Sequence, residues 1–219
     1  MKRKTLALIH TSATLEPVFA KLCADKDLGV DLLHIADDTL IRDVIADGQL
    51  SEGTSQRVRD HIAAAERANV DYIMVTCSSI GPAVDSAKRN GSVPILRVDQ
   101  PMADQAVRLG NRVGVIATLP TTLVPTADLI RRRAADANKD VEIIAHLCKG
   151  AFEALMSGNV AEHDAAVLKA LNELSSQVDV IVLAQASMAR VIEQMPKGKI
   201  LVPILASPPI AVDFLKDVL

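Results

Sequence analysis

Four short apolar segments in the first half of this chain return in the second half, in the same order and at nearly constant offset. LALIHTSAT from Leu6 lies against VGVIATLPT from Val113, 107 residues on, and VDLLHIADD from Val30 lies against VEIIAHLCK from Val141, 111 residues on. DYIMVTCSSIGPAVD from Asp71 matches DVIVLAQASMARVIE from Asp179 at 108, and VPIL occurs at Val93 to Leu96 and again at Val202 to Leu205, at 109. Any two parallel α/β halves share Val, Ile and Leu in their buried strands. The repeated VPIL and the matched Asp at each third-strand entry go beyond that, so one fold unit is expected twice.

The repeated segments sit within an alternation of short apolar runs and amphipathic stretches, the pattern of βαβ units and a parallel sheet. Strands are expected at Thr5 to His10, Val30 to Ala36, Asp71 to Thr76, Val93 to Val98, Arg112 to Thr118, Val141 to Leu147, Asp179 to Ala184 and Ile200 to Leu205. Glu16 and Pro17 open a helix, since Pro is tolerated in a first turn. Ser51 to Asn69 places Val58, Ile62 and Ala65 at helical spacing, and Thr122 to Ala137 reads as another helix, with Arg131, Arg132 and Arg133 on a solvated face. The expected fold is therefore α/β: two similar four-stranded parallel-sheet halves related by a pseudo-twofold axis, with the active-site cleft between them. Residues 1–98, completed by a C-terminal helix over 207–219, form one half and residues 99–206 the other.

Composition narrows the function. A net charge of −3 in 219 residues supplies no basic face for phosphates, and three Phe, one Tyr and no Trp leave little for base stacking. No nucleic-acid partner is expected. The run Leu6 to Ile9 is too short for a signal-peptide core, and no stretch approaches the ~18 apolar residues of a membrane span, so a cytoplasmic protein without membrane contact is expected. Cys23, Cys77 and Cys148 are odd in number and widely spaced, which fits neither a disulfide scaffold nor a zinc knuckle. No His-x-His or HExxH spacing suggests a metal site, and no GxGxxG or GxxxxGK[ST] follows a strand.

In open parallel sheets, ligands bind beyond the carboxyl ends of the strands. In the first half those ends carry His10, Thr11 and Ser12, then Asp37 and Asp38, then Thr76, Cys77, Ser78 and Ser79; in the second half they carry Thr118, Thr121 and Thr122, then Cys148, then Gln185, Ala186, Ser187 and Met188. The set is rich in small hydroxyls and poor in fixed charge. Such turns leave backbone N–H groups open to a small carboxylate, although Ser and Thr there can equally cap the helices that follow. Arg97 and Arg190 are the only arginines near these turns, which argues against a dicarboxylate held by paired guanidinium forks.

Cys77 is the sharpest feature, because a thiol at a strand end just before a helix is placed to act as a nucleophile or base. Cys23, between Leu22 and Ala24 in a helix, reads as inert, and Cys148 as intermediate. His10, at the end of strand one, could accept the Cys77 proton or simply bond a backbone carbonyl. His34, His61 and His163 read as structural.

The VTCSSIG segment, its counterpart LAQASM and the two-half repeat resemble the aspartate/glutamate/hydantoin racemase superfamily over essentially the whole chain. That resemblance implies an enzyme without cofactor or metal, in which a cysteine at each third-strand end works on opposite faces of a carbon beside a carboxylate. Cys77 matches the first cysteine. The second falls at Gln185, the His found two residues later in glutamate racemases is Ser187, and the acid at the end of strand one is His10. Three readings follow. The first is a racemase or epimerase of a small acid in which another group, such as Cys148, His10 or His146, serves the second face. The second is a single-cysteine decarboxylase or cis-trans isomerase, and the third a degenerate small-acid-binding protein. The first gives Cys77 and His10 as catalytic, with Thr11, Ser12, Thr76, Ser78, Ser79, Thr118, Thr121, Gln185, Ala186 and Ser187 contacting the substrate. A homo-oligomer is the expected assembly.

Overall fold

The computed structural model describes residues 3–88, 92–196, 198 and 200–219. The chain divides into two compact units, Met1–Asp99 with Pro208–Leu219, and Gln100–Ser207.

The first unit runs β1 (Thr5–His10), α1 (Leu15–Asp25), β2 (Asp31–Ala36), α2 (Asp38–Asp47), α3 (Glu52–Arg67), β3 (Tyr72–Val75), α4 (Gly81–Ala87) and β4 (Ile95–Arg97). The second runs α5 (Gln100–Leu109), β5 (Arg112–Ala117), α6 (Pro120–Asp136), β6 (Glu142–Leu147), α7 (Ala151–Met156), α8 (Val160–Leu174), β7 (Val180–Leu183), α9 (Ala189–Gln194) and β8 (Ile204–Ala206). The last helix, α10 (Ser207–Val218), packs on the first unit.

Both sheets are wholly parallel, with orders β2-β1-β3-β4 and β6-β5-β7-β8. The registers repeat as well: Thr5 pairs with Asp31 as Arg112 pairs with Glu142, Leu6 with Tyr72 as Val113 with Val180, and Val75 with Arg97 as Leu183 with Ala206. The α/β architecture of two similar four-stranded parallel sheets is thus the one the sequence repeat implies.

The matched aspartates have a physical task. Asp71 Oδ2 accepts from the Thr5 N–H at 2.7 Å, and Asp179 Oδ2 accepts from the Asn111 and Arg112 N–H groups, both at 2.8 Å. Each carboxylate satisfies donors at the open entry of its first strand, where the ladder has no further carbonyl to offer. The two N–H bonds from Arg112 and Asn111 hold the Asp179 carboxyl below its ordinary range.

Alternation along β1 explains the layering. Ala7 and Ile9 face α2 and α3 through Leu40, Val44, Val58 and Ile62, while Leu6 and Leu8 face α1 and α10 through Phe19, Cys23, Val212 and Leu215. With both faces covered, each such buried aliphatic side chain contributes roughly 1.5–3 kcal/mol. In the second unit, Ile116, Ile181 and Leu183 pack on Val167, Leu171 and Leu174 of α8.

Two differences from the expected strands have local causes. β4 and β8 begin only after Pro94 and Pro203, which lack an N–H for the ladder; their carbonyls still accept from Ile73 and Ile181 at 3.0 and 2.9 Å. β2 and β6 are edge strands and only half-buried, unlike the covered strands that their apolar runs suggested.

Candidate active site

The two third strands end alike. After β3, the Thr76 N–H donates to the Ile9 carbonyl at 3.0 Å, and Cys77 (φ −132°, ψ 124°) opens a 3-10 turn, Ser78–Ile80, that runs into α4. After β7, the Ala184 N–H donates to the Ile116 carbonyl at 2.9 Å, and Gln185 (φ −129°, ψ 140°) opens the turn Ala186–Met188 that runs into α9. Cys77 and Gln185 therefore occupy the same place in their units.

The three thiols differ. Cys77 is half-buried at the margin of the first unit's core. Cys23 and Cys148 are buried, and burial pushes both thiols up to about 11, with Glu173 adding to the rise at Cys148. Cys148 Sγ lies 3.7 Å from the Ala166 carbonyl of α8. Burial thus favours the protonated form of the Cys148 thiol.

His10 is fully buried, and its hydrogen bonds fix its form. Thr76 Oγ1 donates its single proton to the Ile9 carbonyl at 3.1 Å, so it accepts from His10 Nδ1 at 2.9 Å. The network thus assigns His10 as the Nδ1–H tautomer, leaving Nε2 to accept from His34 Nδ1 at 2.9 Å. Burial first, and the neighbouring His34 second, lower its pKa to about 4. His10 makes no hydrogen bond to Cys77 among the described residues. The hydrogen bonds of His10 go to Thr76, the residue before Cys77, and to His34.

The other strand ends are tied down from their neighbours. The His10 carbonyl accepts from the Asp37 N–H at 3.0 Å, and Asp38 Oδ1 accepts from the Ala13 N–H at 3.0 Å, pinning the turn that carries Thr11 and Ser12. Thr11 is buried, and Ser12 Oγ bonds Thr14 Oγ1 at 2.8 Å. Asp37 caps α2 and pairs with His61 at 2.9 Å; burial raises its pKa, but the bonds from Thr39 and His61 outweigh it and the net shift is downward. Ser78 and Ser79 are buried beside Cys77.

In the second unit, the Thr118 N–H and hydroxyl both donate to Gln185 Oε1, at 2.6 and 2.9 Å. This pair of bonds fixes which end of the amide is oxygen, and Nε2 has no hydrogen-bond partner among the described residues. Thr121 Oγ1 is buried without a hydrogen-bond partner among the described residues, while Ala186 and Ser187 are half-buried. Arg97 is committed to Asp99 and Asp85, and Arg190 to Asp164. Among the described residues, no group of three or more His, Cys, Asp or Glu is placed to hold a metal ion, and no helix is long and apolar enough to cross a membrane.

The family model described as Asp/Glu/Hydantoin racemase matches residues 7–215. The chain belongs to that family. Among solved structures, it resembles the glutamate racemase of Francisella tularensis in complex with D-glutamate, with a TM-score of 0.75 and 17% identity over 100% of this chain and 81% of that one. It also resembles the aspartate racemase of Picrophilus torridus (TM-score 0.74, 12% identity, 98% and 94% covered) and the allantoin racemase of Klebsiella pneumoniae (0.66, 16%, 99% and 87%). At these identities the likeness to the solved racemases is one of fold. No curated protein matches the sequence.

Sequence reasoning missed three contacts near these strand ends: the His34 bond to His10, the Asp38 bond to the strand-one turn, and the ion pairs of Arg97. The register of β1 and β2 sets His34 opposite Leu8, hence on the same face as His10 two residues on. The signal for Arg97 lay in the repeat, where its counterpart is Ala206.

Proposed function

We propose that this chain is a cofactor-independent isomerase that moves a proton at the carbon next to the carboxylate of a small acid, with Cys77 as the thiol that takes or returns it. Family membership and the placement of Cys77 support this reading: it is the half-buried thiol among three, at the end of a central strand, flanked by buried Ser78 and Ser79. In the forward step, the Cys77 thiolate removes the α-proton and charge develops on the substrate carboxylate as an enediolate. Hydroxyl and N–H donors of the turns on either side of Cys77, those of Thr11, Ser12, Ser78 and Ser79, stabilise that charge; such fixed donors supply the largest share of catalysis in reactions of this type. His10 holds Thr76, and Thr118 holds Gln185. Racemisation or epimerisation is the reaction tested first.

The Gln185 amide favours a second reading. An amide held by its oxygen presents N–H donors and no titratable proton, so it can bind a carboxylate but cannot return a proton to carbon. One-faced proton delivery of that kind fits a decarboxylase or a cis-trans isomerase using Cys77 alone. The test is a panel of single enantiomers of aspartate, glutamate, allantoin and hydantoins, followed by chiral chromatography, with carbon dioxide release and alkene geometry measured on malonate and maleate analogues. Conversion of one enantiomer to both supports racemisation, and release of carbon dioxide or geometric isomerisation supports the second reading. Turnover unchanged in Cys77→Ala would overturn both, as would a pH-rate profile with no thiol limb.

A further inference from the structure

Arg97, the last residue of β4, is 1% exposed, yet it carries a full charge. Its Nε and NH2 donate to the two oxygens of fully buried Asp99 at 3.0 and 2.8 Å, and its NH1 donates to Asp85 of α4 at 2.6 Å. The guanidinium lies flat against Gly81, the first residue of α4. A Cβ built on Gly81 would stand 2.2 Å from Arg97 Cζ and 2.3 Å from NH2, so only glycine permits this approach. Gly81 follows directly on the turn Ser78–Ile80 that Cys77 opens.

The second unit shows that the fold does not need this cluster. The same strand, turn and helix are built there with Ala189 at the first position of α9 and Ala206 at the end of β8, in the same register. A buried Arg with its carboxylates costs desolvation that a small apolar pair avoids, and replacing such clusters with apolar residues is often neutral or stabilising. The charged version is present in the unit whose third strand ends in cysteine, while the unit that ends in glutamine has the alanines.

We infer that Arg97, gripped by Asp99 and Asp85 and seated on Gly81, is a positioning residue that fixes the turn carrying the Cys77 thiol. The Val98 N–H donates to the Val75 carbonyl at 3.0 Å, which ties the segment carrying Arg97 and Asp99 to the strand that ends at Cys77, and the guanidinium reaches from there to Gly81 and Asp85 at the start of α4. Although the inference rests on the reading of Cys77 as the working thiol, its test does not depend on turnover alone.

The test places the alanines of the second unit at Gly81 and Arg97 and removes Asp99 with them, as the triple variant Gly81→Ala, Arg97→Ala, Asp99→Ala, in the full chain. Iodoacetamide alkylation of each cysteine is followed by peptide mass spectrometry across pH, with buried Cys23 and Cys148 as internal references, beside kcat and KM. The triple variant is expected to stay folded, with a several-fold change in Cys77 alkylation rate, unchanged protection of Cys23 and Cys148, and a fall of about tenfold or more in kcat with KM little altered, as a sub-ångström to 1 Å displacement of a reacting group produces. A folded triple variant with the wild-type Cys77 rate and pH profile would overturn the inference. Should the triple variant not fold, Arg97→Lys decides: it keeps the charge but not the fork, so the same Cys77 change is expected and its absence is equally fatal. If instead Cys77→Ala keeps full turnover, the functional reading fails while the alkylation result still stands for the clamp.

Discussion

Lowering the pH from neutrality should weaken this protein through His10. His10 is buried as the neutral Nδ1–H tautomer, and a proton added at Nε2 would set two N–H donors head to head with His34 Nδ1. Its pKa falls from 6.5 to about 4 on folding, so between those values the unfolded chain binds the proton and the folded one does not. Stability is therefore complete above pH 6.5 and declines as pH falls toward 4. The loss is about 2 kcal/mol between pH 7 and pH 5, and about 3 kcal/mol once both values have been passed. The depressed carboxyls of Asp37 and Asp179 act in the same direction but only below their ordinary value of 3.8, outside this window. Urea unfolding of the wild type and of His10→Asn, at several pH values from 7 to 4.5, measures the effect. Asn keeps a donor toward Thr76 Oγ1 and loses the bond to His34, so the variant should be weaker at pH 7 and close most of the gap by pH 5. Parallel stability curves for the two proteins across that range would refute the tautomer and burial assigned to His10.

Three further outcomes follow from the same geometry. Gln185→Glu keeps an oxygen on Thr118 and replaces the amide donor with a second carboxylate oxygen, so KM for a small acid should rise about tenfold or more at neutral pH, read by steady-state kinetics. Gln185→Ala leaves the Thr118 N–H and hydroxyl without their acceptor, which should lower the unfolding free energy by about 1–3 kcal/mol, read by urea titration. Asp71→Ala strips the Thr5 N–H of its acceptor, so the amide of Thr5 should exchange with solvent faster while the β5 entry, held by Asp179, keeps its protection in hydrogen-exchange mass spectrometry.

The repeat made most of the fold legible, because strand order and register follow from building one unit twice: the offsets of 107, 111, 108 and 109 in sequence are the offsets of the observed pairings. Its Asp71 and Asp179 were visible as a match, and their task at the strand entries became clear only once the backbone donors beside them had positions. α2 escaped notice because Asp37 and Asp38 read as strand-end acids, whereas Asp37 is the cap of that helix and Asp38 the acceptor for Ala13. Within the site, the strand-end location of Cys77 could be read directly. The partners of His10 could not, since they depend on which face of β1 and β2 each ring occupies. The Arg97 cluster could have been found by asking where the two halves part company rather than where they agree: Gly81 against Ala189, Arg97 against Ala206 and Cys77 against Gln185 are among the positions that make the units chemically different.

Solvent deuterium exchange at the α-carbon of a small acid, followed by NMR and chiral analysis in wild type and Cys77→Ala, tests the central claim most directly. Deuterium that enters at that carbon with wild-type protein and stops with Cys77→Ala is the predicted result, appearing in both enantiomers for a racemase or in one if a single face is served. Exchange that proceeds at the wild-type rate without the Cys77 thiol would contradict the account.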